Sequence, residues 1–361
     1  MRSKGYSSYR GASRLRKALK FVIVLLLAVL ILGLCALLIF PQYVVYSADG
    51  PRLELPFLGR GKETPPPAES APPASPTLPV VVVTPEVTAP EALHVVILPR
   101  SALSDGTAAE QMAAAGGNAV LFDMKADDGS LGYVSGLPLA ISARASSGDP
   151  DVNAAITALN GTGDLYTVAR VSCFKDDLLS NADRALNILT NSGYRWTDPE
   201  GLKWSSPTAP AVRDYVTGVC VELAQLGFDE ILLDWAGYPT EGNLHYIKKG
   251  EAYDSSAFAA VIEDFYAQTA EALAAHPGVK LAIVTDGATV TDGVNSLSGQ
   301  SVAALAAYAQ RVWLSPSADV DAVSAFASAG LTDAETNVVF MGGAPGEEGE
   351  SWAIPAIAAE S

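Results

Sequence analysis

After Leu93 the chain alternates short apolar runs with stretches of helical period, and this alternation limits the fold more than any other feature of the sequence. Strands are predicted at His94 to Leu98, Ala119 to Met124, Leu165 to Phe174, Glu230 to Trp235, Val279 to Thr285, Val312 to Ser315 and Val338 to Met341. Helical periods lie between them. In Ala211 to Leu226 the residues Val212, Tyr215, Val216, Val219, Leu223 and Leu226 recur at three- and four-residue steps, and Gly227 follows as a terminator. A second helix is expected over Ser256 to Ala275. Strand-helix-strand repetition of this length implies a parallel α/β sheet closed as a TIM (β/α)8-type barrel over residues 93–361. Ser351 to Ile354 is the candidate eighth strand, yet only about nine residues separate it from the seventh, fewer than a helical crossover needs. The barrel is therefore expected either to lack its last helix or to be incomplete at the C-terminal end. An open doubly wound sheet is the alternative, but no GxGxxG follows the first strand.

The first quarter of the chain has a different composition. Phe21 to Phe40 is twenty residues without charge or proline, about 30 Å as a helix, which suits a bilayer core. All seven basic residues of the first twenty lie on its N-terminal side with no acid among them, so residues 1–20 read as a cytoplasmic tail and 21–40 as a single transmembrane helix. The competing reading is a cleaved signal peptide ending near Ser47-Ala48, although its apolar region exceeds the usual length. Residues 41–92 read as a disordered Pro-rich extracytoplasmic linker, with Pro65, Pro66, Pro67, Pro72, Pro73 and Pro76 among small and polar residues. Extended as polyproline II it would reach on the order of 150 Å.

Charge narrows the partners. The chain carries −17 overall, and because the tail is basic the remainder carries −24. Such a surface repels phosphate backbones, so nucleic acid is set aside as a partner. The partners expected are a polysaccharide or cell-wall glycan and, through residues 21–40, the membrane. His94, His245 and His276 have no partner at ligand spacing and no HExxH occurs, so neither a metal nor any other cofactor is expected. Cys173 and Cys220 read as buried free thiols.

In a barrel of this type the site forms at the C-terminal ends of the strands. The second strand ends in Asp123-Met124-Lys125, and strict alternation would put Asp123 and Lys125 on one face. The third contains Arg170 and leads to Lys175-Asp176, the fourth ends at Asp234, and the fifth at Asp286. An acid behind Ile231-Leu232-Leu233 needs a charge partner or a wet cleft. Two carboxylates facing one cleft are the minimum for glycoside hydrolysis, so Asp234 and Asp286 are the candidate catalytic residues. The competing reading of Asp234 is a structural ion pair with Arg170 or Lys125. Asp123, Lys125, Arg170, Asp176, Trp196, Trp235 and Tyr238 are candidate substrate contacts, the aromatic ones because sugar rings stack on such side chains. Trp313 reads as core.

These residues resemble a little-characterised bacterial family of glycosyl-hydrolase-like barrels, distantly similar to the alpha-amylase type. The resemblance rests on Asn118 to Lys125 followed by Asp128-Gly129, on Ala169-Arg170-Val171 with Phe174-Lys175-Asp176, and above all on Leu226 to Trp235. It implies a TIM barrel with Asp234 in the place of the nucleophile-like aspartate and Asp286 at the next strand end. The chain departs from the pattern at Gly237-Tyr238-Pro239, where an arginine and phenylalanine usually precede the proline. It departs again at Trp313-Leu314-Ser315-Pro316, and no third carboxylate accompanies Met341-Gly342-Gly343.

Overall fold

The structure, a computed structural model, describes residues 44–47, 50–53, 91–315, 320–347 and 349–356. The apolar segment 21–40, the basic tail and the Pro-rich residues 61–90 lie outside the described residues. No helix among the described residues is long and apolar enough to cross a membrane. Within the stretch read as a linker, Val44–Ser47 and Gly50–Leu53 pair as an antiparallel hairpin. The β-branched Val44-Val45 and the Asp49-Gly50 step carry that signal in the sequence.

Residues from Thr84 onward form a separate unit that contains a closed eight-stranded parallel barrel. Its strands are β1 (His94–Leu98), β2 (Ala119–Lys125), β3 (Tyr166–Ser172), β4 (Glu230–Asp234), β5 (Lys280–Thr285), β6 (Arg311–Leu314), β7 (Val338–Met341) and β8 (Ser351–Pro355). The eighth strand is present, so the barrel is complete: β8 pairs with β7 through Ser351 and Val339 and with β1 through Trp352 and His94. The helix that would normally join β7 to β8 is replaced by the connection Gly342 to Glu350. Nine residues suffice because the strands to be crossed are only about four residues long, and nine extended residues can reach roughly 30 Å.

Alternation along each strand divides the core in two. Val95, Ala119, Leu121, Val168, Leu232, Ala282, Trp313, Val339 and Ala353 fill the barrel interior. Residues of the other parity, such as Val120, Phe122, Val171, Ile231, Leu233 and Ile283, face the helices in the larger outer core. Helix Pro210–Gln225 buries Val212, Tyr215, Val216, Val219, Cys220 and Leu223 there, and helix Phe258–Leu273 buries Ile262, Phe265 and Tyr266. Each such aliphatic side chain contributes about 1.5–3 kcal/mol on burial. Cys173 and Cys220 are free and buried in this layer.

At the N-terminal ends of β3, β4 and β6 the barrel interior is polar. Glu230 is fully buried, pairs with Arg311, and accepts hydrogen bonds from the Tyr166 hydroxyl at 2.8 Å and the Trp313 indole N–H at 3.1 Å. Trp313 is thus a core residue, as expected, with its one polar atom satisfied. Burial and the adjoining Glu230 carboxylate raise the pKa of the Tyr166 phenol.

Candidate active site

Asp234 ends β4 at the opposite, C-terminal mouth of the barrel. Its Oδ2 accepts from Arg170 Nε at 2.8 Å and lies 2.7 Å from Arg170 Nη2, while its Oδ1 accepts from the backbone N–H of Trp235 at 2.7 Å. Arg170 reaches this point because β3 and β4 are neighbours, with Arg170 beside Leu232 and Ser172 beside Asp234. The same guanidinium donates to Asp123 at 3.0 Å and to Asp127 at 2.6 Å. Burial alone would lower the Arg170 pKa, but the charges of Asp234, Asp127 and Asp123 outweigh it and raise it. One cation therefore gathers three carboxylates from three elements.

Lys175 forms a second centre next to the first. Its ammonium lies 2.5 Å from Glu200, 3.1 Å from Asp198 and 3.6 Å from Asp127, and 4.6 Å from the centroid of the Trp235 ring. Burial opposes the charge of Lys175, but hydrogen bonds to Glu200 and Asp198 raise its pKa on balance. The Trp235 indole donates to Asp127 at 3.1 Å and meets Trp204 edge-on at 5.8 Å. Trp235 holds φ at 48°, a left-handed conformation that a bulky side chain rarely adopts and that neighbouring contacts must enforce. The residue remains 39% exposed.

Asp234 and Trp235 line a cleft of about 720 Å³ together with Trp204, Tyr238, Glu241 and Asp286. Asp286 also caps helix Gly287–Asp292: its Oδ1 accepts from the Thr289 N–H at 2.8 Å and the Thr289 hydroxyl at 2.7 Å, and its Oδ2 from Asn295 Nδ2 at 3.1 Å. Gly237, which stands in the segment where the family pattern usually has an arginine and a phenylalanine, has a local reason. A Cβ there would lie 2.8 Å from the carbonyl oxygen of Ser298, so glycine lets the Asn295 to Gln300 loop close over the cleft floor.

Several expected substrate contacts are placed elsewhere. A register shift between Asp123 and Lys125 breaks the alternation of β2, so the two do not share a face. Asp123 turns into the barrel mouth, half exposed, toward Arg170. Lys125 turns to the helix side, fully buried, where it lies 2.7 Å from Asp176 and donates to the Ser172 carbonyl at 2.7 Å. Asp176 in turn caps helix Asp177–Ala182 through the Leu179 N–H. Lys125 and Asp176 are thus a buried pair supporting the third strand end, and neither reaches the cleft. Trp196 is also buried and donates to the Asn243 carbonyl at 3.2 Å, bracing the loop after β4. Tyr238 borders the cleft but is 2% exposed and stacks on Phe258, with ring centroids 3.7 Å apart.

Asp127 is the residue sequence reasoning missed. It lies in the loop after β2, and no strand pattern marks it. Burial would raise its pKa, but Arg170, Lys175 and Trp235 together hold it below the usual carboxylate range. A carboxylate with a depressed folded-state value adds stability that is complete above its unfolded value, near 4, and is lost as the pH falls through the folded value. The wild-type advantage over Asp127→Asn in urea unfolding is therefore expected to be full at pH 6 and to shrink steadily below about pH 4. An advantage independent of pH would contradict the pairing.

Residues 107–316 match the family described as "Putative glycosyl hydrolase domain", and the chain belongs to that family. Its barrel is similar to the glycoside hydrolase domain of PgaB (BpsB) from Bordetella bronchiseptica, with 14% identity, a TM-score of 0.50, and coverage of 69% of this chain and 84% of that one. A hypothetical protein from Ruminiclostridium thermocellum ATCC 27405 matches at 25% identity over 52% of this chain and 96% of its own, with a TM-score of 0.44. The alpha-galactosidase from Lactobacillus brevis matches at 14% identity and a TM-score of 0.47, covering 76% of this chain and 38% of that one. No curated protein matches the chain. The family and the barrel together support a glycan-acting enzyme.

Proposed function

We propose that this chain is a glycoside hydrolase held on the outer side of the cell membrane by residues 21–40, acting on a cell-wall or surface polysaccharide. The observation that carries the reading is Asp234, placed by β4 at the mouth of a closed parallel barrel and in the wall of a cleft bordered by Trp204, Trp235 and Asp286. Arg170 and the Trp235 N–H offer hydrogen bonds suited to an ionised carboxylate, which fits Asp234 for the nucleophile or for electrostatic stabilisation of an oxocarbenium-like transition state. Asp286 is assigned the proton donor. Three of its four hydrogen bonds fall on Oδ1, which leaves Oδ2 the less committed oxygen for proton transfer to the glycosidic oxygen. Trp235, exposed at the rim, supplies a stacking face for a sugar ring.

The twenty-residue apolar run flanked by basic residues supports the anchor, and the proline-rich stretch supports a spacer between membrane and barrel. The test is release of reducing ends by the full chain, reconstituted in liposomes, from peptidoglycan, teichoic acid glycans and capsular polysaccharide, each assayed before and after chemical de-N-acetylation. Release from any of them is expected, and no release from all three would sink the hydrolase. A second reading is a glycan-binding barrel without turnover that tethers membrane to wall. It is favoured by the double contact of Arg170 with Asp234 Oδ2, which leaves that oxygen little freedom to attack. Glycan binding that survives Asp234→Asn, with no hydrolysis by the wild type, would establish it.

A further inference from the structure

Among the described residues, the side chains that line the cleft include Asp234, Glu241 and Asp286 and not one lysine or arginine. The nearest cations cannot offset these acids, because both are already spent. Arg170 is held by Asp123, Asp127 and Asp234, and Lys175 by Asp127, Asp198 and Glu200. Five carboxylates thus share two cations beside the cleft, before Glu241 is added. Trp235 adds aromatic surface beside these acids: the residue is 39% exposed, although the Lys175 ammonium already lies 4.6 Å from its ring centroid.

A glycan bearing carboxylates or phosphates would meet like charge here, and a neutral one would gain nothing from it. We propose that the cleft selects a glycan with free, protonated amines, that is, a polymer containing hexosamine units that are not N-acetylated. The ammonium would sit beside Glu241 and the exposed part of Trp235, with the sugar faces against the indoles. This rests on the reading of the cleft as the glycan site and adds the class of glycan it takes. An N-acetyl group on the same nitrogen removes the charge and with it the charge-assisted hydrogen bonds, which are worth about 1.5–3 kcal/mol or at least tenfold in affinity.

The experiment is calorimetric binding of a glucosamine hexamer and of its fully N-acetylated counterpart to the full chain carrying Asp234→Asn, which prevents turnover. The glucosamine hexamer is expected to bind at least tenfold more tightly at low salt, and the preference should shrink as salt is raised. Glu241→Gln should weaken glucosamine binding roughly two- to fivefold, the scale of an exposed ion pair, and leave the acetylated hexamer unaffected. Glu263→Gln, on the exposed face of helix Phe258–Leu273, should change neither. Equal or tighter binding of the acetylated hexamer, no binding of the glucosamine hexamer, or a preference indifferent to both salt and Glu241→Gln would overturn the proposal. The hydrolase reading fails separately, in the wall-glycan assay, so the two failures are distinguishable.

Discussion

Replacing Asp234 by asparagine is expected to lower the rate of glycan hydrolysis by at least on the order of 10⁴-fold while leaving the barrel folded. The size follows from the role. A nucleophile or charge stabiliser acts mainly on the transition state, so its loss should fall on kcat and leave KM little changed. The fold should survive because the substitution is isosteric and the amide oxygen can still accept from Arg170 or from the Trp235 N–H. Arg170 also keeps Asp123 and Asp127, so it is not stranded as a buried unpaired charge. The check is kcat and KM on whichever wall glycan the wild type cleaves, with circular dichroism and the thermal midpoint measured on the same preparation. A residual rate within tenfold of wild type would remove Asp234 from the chemistry and leave it as a positioning partner of Arg170. Arg170→Lys is expected to lower kcat less than Asp234→Asn, because the lysine keeps a positive charge beside Asp234 although it loses the fork that holds three carboxylates in fixed directions.

The sequence was most informative where one physical requirement dominates. Strands buried on both faces must be continuous apolar runs, and β1 and β7 accordingly begin and end where their runs do, with the others shifted by one or two residues. The eighth strand was hard to judge because Ser351-Trp352-Ala353-Ile354 is short and its crossover has no helix, yet closure needs only that β7 and β1 each find a partner edge. At the site, Asp234 and Arg170 were legible because a charge inside an apolar run demands an answering charge. Lys125 misled for the opposite reason: its meaning depends on parity, and one extra residue in the ladder sends it to the other side of the sheet. Asp127 was invisible because a loop residue acquires its partners only when the barrel brings β2, β3 and β4 together. The same holds for the excess of acid around the cleft, which arises from side chains scattered between Asp123 and Asp286.

The largest effect on stability is expected at the other end of the barrel. Glu230→Ala should cost about 3–5 kcal/mol, a large share of a typical domain's 5–15 kcal/mol, because it leaves the Arg311 guanidinium buried without its counter-charge. It also strips acceptors from the Tyr166 hydroxyl and the Trp313 indole. The cost of burying Arg311 is met by Glu230 and Tyr166, which raise its pKa against the effect of burial. No titration within the working range would restore the balance once Glu230 is gone. Urea unfolding followed by Trp fluorescence would measure the loss. The companion measurement is the double variant Glu230→Leu with Arg311→Met, which removes both charges and fills the space with apolar atoms. It should be clearly more stable than Glu230→Ala alone, since the penalty belongs to the unpaired charge and not to the absence of an ion pair. A double variant no better than the single would mean that the hydrogen bonds to Tyr166 and Trp313, not the charge balance, hold this end of the barrel closed. Hydrolysis per folded molecule should be unchanged in either case, because this cluster sits at the strand starts and the cleft at the strand ends.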